Sequence, residues 1–378
     1  MSRDLPHILH LYSGVTEEGE VRRVGELINA FGPKLRHSVA FAEDGAMLGY
    51  KDFGKGIDVD LSPDFPSLEG HPTPGRMTRI AKAMQPFDLV LSYNYGAIDA
   101  AMAHTLFKDA FGLPPLIHFE DDLGEESPAR PKRARTWYRR IALGKTAGLV
   151  VPTERLEELA LVEWQQPMGR VKHIPYGIDT KLFAMRPKPE ALRLIKRPGE
   201  YWIGTQTNFA DAADIAAIVR AFAELKDDSW HLVILGEGPG REAIEREVDR
   251  LRINDHVHLP GPGRDPDRAF GLFDIFASAA DDLPFPFAMA KAMAAGLPVA
   301  APGTKTIRGI LSDENAQLLG EPGNASRYAV VMEDLTRSKD LRQSLGQANR
   351  AKAMQHYDRD KIIATFRRLM TSAMKREF

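Results

Sequence analysis

The chain has no cysteine among its 378 residues, which removes disulfides, thiolate metal sites and a cysteine nucleophile and fits a reducing compartment. Stability must therefore come from packing. Nowhere do about eighteen apolar residues run without charge, so no membrane-spanning helix is expected. The opening Met-Ser-Arg-Asp-Leu-Pro-His lacks the apolar stretch of a signal peptide, and no export is expected. A strong field of one sign is missing too: the net charge of −2 draws the protein to no nucleic acid. No solenoid-length repeat occurs. What remains is a composition of 43% apolar and 27% charged residues, which excludes a disordered or fibrous chain. The length exceeds what one hydrophobic core usually serves, so two domains are expected.

The apolar pattern alternates between short β-rich runs and helical stretches. His7–Tyr12 reads as a strand, followed by a helix from about Val21 to Phe31; His37–Ala42 and Phe87–Ser92 read as further strands, the latter leading into a helix over Ala97–Phe107. Pro115–Phe119 and Ala147–Pro152 add strands, with a helix over Glu154–Trp164. Residues 58–76, rich in Pro and Gly, predict an irregular loop. The same plan restarts after Arg186-Pro187-Lys188-Pro189, whose prolines suit a linker. Trp202–Gly204, His231–Gly236, Val257–Leu259, Ile275–Ala277 and Val299–Ala301 read as strands, and Ile215–Leu225, Ala288–Ala295 and a segment from Arg241 as helices, with an amphipathic tail from Asp358 to Lys375. Alternation of this kind implies parallel sheets.

Four stretches carry a resemblance. Ile174-Pro175-Tyr176-Gly177-Ile178-Asp179, Leu235-Gly236-Glu237-Gly238-Pro239, Phe273-Asp274-Ile275-Phe276-Ala277-Ser278 and Ala292-Met293-Ala294-Ala295-Gly296-Leu297-Pro298-Val299 occur in this order. Together they resemble the family 4 glycosyltransferases, retaining enzymes of the GT-B fold that move a sugar from a nucleotide donor to an acceptor. The resemblance implies an α/β chain with two Rossmann-like domains whose parallel sheets face a central cleft: an acceptor-side domain at 1–186, a nucleotide-sugar domain at 187–357, and a C-terminal helix at 358–378 packing back on the first domain. It implies a UDP- or GDP-sugar donor with no further cofactor, and a glycan or lipid-linked acceptor of bacterial surface polysaccharide or glycolipid synthesis. Independently of the family, Gly236, Gly238 and Gly240 permit a tight strand-to-helix turn where backbone donors and a helix N-terminus meet a polar ligand, although such turns also serve purely as connections. Gly204 and Thr205 stand at the corresponding edge of the domain's first strand. In open α/β sheets ligands sit beyond the carboxyl ends of the strands.

The family pattern is broken at the donor site. Where the family places an Arg and a Lys after the first strand of the second domain, Gly204-Thr205-Gln206-Thr207-Asn208-Phe209-Ala210-Asp211 contains no cation. The two carboxylates of its Glu-x7-Glu pattern fall on Leu283 and Lys291. A departing diphosphate needs positive charge. One reading moves that charge to Lys291 and Lys305, with Asp281 or Asp282 replacing the first Glu; the other leaves both lysines as solvated surface groups and the protein as a degenerate sugar-nucleotide-binding or scaffolding partner.

In the first domain, His118-Phe119-Glu120-Asp121-Asp122 follows a buried strand. Here the resemblance puts Glu120 at the position of a donor-sugar contact, with His118 expected on the opposite face. Glu120, His118 and Asp282 are thus the candidate catalytic residues, Glu120 either bonding sugar hydroxyls or assisting acceptor deprotonation; the acidic run reads equally as a capping or solvent loop. Gly14, with Gly19, occupies the loop after the first strand where family members meet the donor phosphates. One segment of Asp and His defines no coordination sphere, and no metal is expected. From Arg130 to Lys145 a basic stripe holds Trp137 and Tyr138. It suits either an anionic membrane surface or a solvated helix face, so the expected location is cytoplasmic, with or without peripheral attachment to the inner membrane face.

Overall fold

A computed structural model describes residues 5–12, 18–41, 53–61, 64–121, 123, 132–210, 212–278, 285–322 and 325–378, with only the backbone described at 18–24 and 325. The chain forms two units: Met1–Pro175 with Ile362–Phe378, and Tyr176–Lys361. The boundary therefore lies at Pro175/Tyr176, ahead of the expected 186/187. Arg186–Pro189 is not a linker: Pro187 packs against Gly271, Lys188 pairs with Asp265 at 3.1 Å, and the Arg264 amide donates to Ala191 O, all inside the second unit.

In unit 1 the elements run β1 (His7–Tyr12), α1 (Glu18–Phe31), β2 (Arg36–Phe41), β3 (Asp58–Asp60), α2 (Pro74–Met84), β4 (Leu89–Tyr93), α3 (Ile98–Phe111), β5 (Leu116–Phe119), α4 (Arg133–Ala142), β6 (Gly148–Val151), α5 (Glu154–Glu158) and β7 (Val171–His173). The seven strands lie in the order β3-β2-β1-β4-β5-β6-β7, every pairing parallel. Alternation of strand and helix produces this arrangement, since parallel strands need a crossover between them. Ile8, Leu9 and Leu11 are wholly buried; burying such a side chain contributes about 1.5–3 kcal/mol relative to leaving it exposed. The 58–76 segment contains more order than its Pro and Gly content predicts, with β3 paired to β2 and α2 opening at Pro74, capped by the Thr73 hydroxyl.

Unit 2 continues with α6 (Thr180–Phe183), β8 (Tyr201–Gln206), α7 (Ala212–Ala223), β9 (Trp230–Leu235), α8 (Arg241–Leu251), β10 (Val257–Gly261), α9 (Pro266–Ala269), β11 (Ile275–Ala277), α10 (Phe287–Ala294), β12 (Val299–Ala300), α11 (Lys305–Ile310), α12 (Asp313–Ala316), α13 (Ala325–Arg337), α14 (Lys339–His356) and α15 (Arg359–Met374). Its five strands lie in the order β10-β9-β8-β11-β12, again all parallel. The two-residue β12 is held from the side: Asn315 bonds both the amide and the carbonyl of Val299, and Asn349 bonds Asn315 and Leu297 O. All these polar atoms are buried and paired, which rigidifies the strand.

The last helix crosses from unit 2 into unit 1. Arg359 and Asp358 tie its start to Asp179 and Thr180. From Ile362 onward it covers one face of the unit 1 sheet, where Ile362, Phe366, Leu369 and Met370 pack with Leu91, Phe119 and Val150.

Candidate functional site

In each sheet the chain reverses its direction of winding at one place, between β1 and β4 in unit 1 and between β8 and β11 in unit 2. Ligands of open α/β sheets sit beyond the carboxyl ends at such points. Each edge is built differently.

In unit 1, the β5 strand and its continuation bring His118 and Glu120 onto one face. The expectation of opposite faces is wrong, because side chains two residues apart along a strand project the same way. His118 Nε2 lies 2.9 Å from Glu120 Oε2, and His118 Nδ1 lies 2.8 Å from Ser92 Oγ on the neighbouring β4. The other carboxylate oxygen accepts from Arg139 of α4, at 2.7 Å from Nη2 and 3.1 Å from Nε. Glu120, His118 and Arg139 are all buried. Burial pulls the Glu120 carboxyl upward, but the Arg139 charge and the His118 hydrogen bond outweigh it and hold the group below the ordinary carboxylate value. With both oxygens engaged away from solvent, Glu120 is a clamp between sheet and helix. His118 is buried in the same clamp, bonded on both ring nitrogens.

Arg139 was hidden in the basic stripe. The positions Thr136, Arg139 and Ala142 recur at helical spacing and are the buried residues of α4, so the spacing was the available signal for an inward arginine. Its guanidinium lies 4.7 Å from the Tyr95 ring centre and 4.9 Å from that of Trp164. Other members of the stripe are also engaged: Arg140 donates to Glu163 O, and Lys145 pairs with Asp109. Beside them, Asp99 of α3 accepts from both Arg76 of α2 and Tyr138 of α4.

The opposite face of this sheet carries a neutral polar chain. His37 Nδ1 lies 3.0 Å from His10 Nε2, and His10 Nδ1 lies 3.1 Å from Tyr93 OH. Burial lowers the His37 pKa to about 4, with the nearby His7 adding to the effect, and takes His10 well below its usual value. Along the carboxyl edge the rings of Tyr12, Tyr93 and Phe119 stack at 4.1 and 4.9 Å. Gly14 lies outside the described residues, as does Asp282.

In unit 2, the glycines of the turn after β9 answer to a neighbouring loop. A Cβ on Gly236 would fall 1.7 Å from Thr207 O, and one on Gly238 would fall 1.8 Å from Asn208 O. The Gly240 amide donates to Phe209 O and the Thr207 amide to Leu235 O. Thus the loop after β8 is pressed, backbone on backbone, against the turn after β9. Gly204, inside β8, has the same character: its Cβ would meet the Phe273 ring at 2.2 Å. Thr205 is buried. Gly204, Gly236 and Gly238 shape the edge by packing.

Lys291 sits in the last turn of α10 and not near a helix start. Its Nζ lies 2.8 Å from Asp267 Oδ1 and 5.8 Å from the centre of the Phe183 ring, so its charge is already matched. Lys305 opens α11 on the loop after β12 and is exposed. Among the described residues no group of three or more His, Asp or Glu could hold a metal ion, and no helix is long and apolar enough to cross a membrane.

Residues 196–352 match the family model described as glycosyl transferases group 1. The chain is 26% identical over 178 residues to an alpha-monoglucosyldiacylglycerol synthase of Streptococcus pneumoniae, covering 44% of this chain and 40% of that protein's length. It is 23% identical over 279 residues to a GDP-mannose-dependent alpha-mannosyltransferase of Mycobacterium tuberculosis, covering 70% of this chain and 69% of that protein. Among solved structures, Anabaena HepE in complex with UDP superposes with a TM-score of 0.79 at 16% identity, over 97% of this chain and 100% of the other.

Proposed function

We propose that this chain, a family 4-like protein of the GT-B glycosyltransferase fold, moves a hexose from a nucleotide-activated donor to a glycan or lipid-linked acceptor with retention at the anomeric carbon. The observation that carries the reading is the unit 2 edge, where a group 1 domain holds the loop after β8 rigidly at the sheet's switch point. Preorganisation of that kind is what a diphosphate site requires. The likeness in fold to a UDP-bound protein and the two sequence relatives support a UDP- or GDP-sugar donor. We assign the nucleotide to unit 2 and the acceptor to unit 1, in surface polysaccharide or glycolipid synthesis.

With no cation in 204–210, Lys305 and Lys291 are the groups we assign to the diphosphate. Lys291 must then exchange Asp267 for phosphate oxygens, and Asp282 stands in for the missing first carboxylate. The test is a transfer and hydrolysis screen over UDP-, GDP- and ADP-sugars, with nucleotide affinity measured on wild type and Lys291→Ala. Turnover with a weakened variant supports the assignment. Unchanged affinity removes Lys291 from the site, and no turnover with any donor overturns the enzymatic reading.

One observation favours a second reading. The Lys291–Asp267 pair neutralises the cation that replaces a family carboxylate, as expected of a protein that binds sugar nucleotides without transferring them. Binding without turnover in the same screen would select it.

For a lipid-linked acceptor, α4 is the membrane-facing element we infer. Trp137 and Ile141 are 60% and 51% exposed on it, with Arg133 exposed and Arg140 5.0 Å from the Trp137 ring centre. Interfacial aromatics beside cations suit an anionic headgroup layer. Sedimentation with phosphatidylglycerol vesicles, but not phosphatidylcholine ones, is the expected result; indifference to lipid charge would exclude it.

A further inference from the structure

After α5 the chain widens into a π-turn over Leu159–Glu163. The Trp164 amide donates to Leu159 O at 2.9 Å, one residue further back than in an α-helix. Leu159, Ala160 and Trp164 are buried, while Val162 is 62% exposed. A tight turn follows, closed by the Arg170 amide on Pro167 O at 2.9 Å, and within it stands Met168, 80% exposed. Turns that face water ordinarily take Gly, Pro, Asn, Asp or Ser. This segment instead offers two apolar side chains to solvent.

The two have neighbours of the same kind. Arg140 of α4 donates to Glu163 O at 2.7 Å, and its carbonyl accepts from Gln166 Nε2 at 3.3 Å, which fastens α4 to this segment. On the other flank the Thr105 hydroxyl of α3 donates to Ala142 O at 2.7 Å, and Thr105 precedes the exposed Leu106. On α4 itself Thr136, Arg139 and Ala142 face inward, so Trp137 and Ile141, four residues apart, share the outward face. Leu106, Trp137, Ile141, Val162 and Met168 thus lie on three fastened elements. They are five of the eleven large apolar side chains exposed among the described residues. Exposed apolar residues scattered singly need no explanation, whereas a grouping marks a binding surface.

The charge around this surface is positive. No Asp or Glu occurs from 127 to 153. Lys132 and Arg133 are exposed at the start of α4, Asp109 is paired with Lys145, and Glu163 is half-buried. We infer that the three elements penetrate the acyl boundary of an anionic membrane, with Val162 and Met168 inserted beside Trp137 and Ile141. This rests on the membrane assignment of α4 made above and goes beyond it, since attachment by headgroup charge alone gives Val162 and Met168 no role. Cations draw such a surface to the headgroups, and the apolar side chains hold it there.

Trp137 supplies the readout, because the other tryptophans, Trp164, Trp202 and Trp230, are buried. The full chain is titrated with phosphatidylglycerol vesicles that contain phosphatidylcholine brominated on its acyl chains. Insertion should shift Trp137 emission to the blue and quench it, and the quenching should persist in about 0.5 M salt, where headgroup attraction is screened. Val162→Thr and Met168→Gln remove apolar surface without changing charge, and each should weaken vesicle partitioning about threefold or more. Met354→Gln, at an exposed methionine of α14 in unit 2, should leave partitioning unchanged. Binding without quenching, or binding that neither Val162→Thr nor Met168→Gln weakens, overturns insertion and leaves the α4 reading standing. Self-association of the wild type that Val162→Thr abolishes, measured by light scattering, also overturns it, since a second copy would then cover the surface. Binding to no vesicle, charged or neutral, overturns both.

Discussion

At the carboxyl edge of the unit 1 sheet a carboxylate, a guanidinium and an imidazole are packed out of reach of water, whereas at the same edge of unit 2 glycines hold one loop's backbone against another's. Both devices fix the end of a strand, but they fail for different reasons. A buried charge network fails when one partner is removed, since the survivor is left unpaired in a medium that cannot solvate it. A backbone-on-backbone contact carries no net charge and fails when volume is added. Unit 1 should therefore respond to charge and pH, and unit 2 to the size of a single side chain.

The largest expected effect is in unit 1. Arg139→Met strands the buried Glu120 carboxylate and should destabilise the unit by about 3–5 kcal/mol, read as a shift in its urea transition. Adding Glu120→Gln to that variant should recover a large part of the loss, because the uncompensated charge is gone. If the single variant unfolds like wild type, the charged clamp is not what fixes the edge. Next, Gly236→Ala places a methyl against Thr207 O at a φ of +132°, and should destabilise unit 2 by about 3 kcal/mol while leaving the unit 1 transition in place. A variant as stable as wild type would refute the close approach.

Acid sharpens the contrast. The folded pKa of His37 lies below its unfolded value, so neutral His37 contributes stability that is fully present above about 6.5 and is lost as pH falls toward 4. For this one group the loss between pH 7 and pH 5 is about 2 kcal/mol. His104, lowered to about 4 by burial, acts in the same direction in the same unit. His231 and His258 of unit 2 are lowered too, chiefly by burial, but they are only half-buried. Denaturant titrations at pH 7, 6 and 5 should show the unit 1 transition moving more than that of unit 2; equal movement would remove the distinction. The smallest effect is Lys291→Ala, which breaks a partly exposed ion pair and should change stability by less than about 1 kcal/mol, so that any fall in nucleotide affinity can be read as binding.

Much of the architecture was legible because it is written in local periodicity. The β1 run His7–Tyr12 and the β11 run Ile275–Ala277 appear in the structure where the apolar pattern predicts them. β3 and α2 were missed because three residues are too short for a strand signal and because Pro74, read as a loop former, opens a helix instead. The candidate site was less legible. Glu120 and His118 stood out as the densest polar cluster, yet their partner Arg139 lay in a stretch that reads as a basic surface. Gly236 and Gly238 stood out as residues that permit a tight turn, and what excludes a side chain at either is the backbone of Thr207 and Asn208, residues of another loop.

The sequence by itself determined two parallel α/β halves, a core built without disulfides, a loop after β8 stripped of cations, and a helix at the C-terminal end with one apolar face. The tertiary structure decided which polar groups are spent inside: Glu120 on Arg139, Lys291 on Asp267, the turn glycines on a neighbouring backbone. The reason is physical. Periodicity records which way a side chain faces relative to its own helix or strand, whereas the identity of its partner depends on which element is packed against that face, and only the folded chain sets that distance.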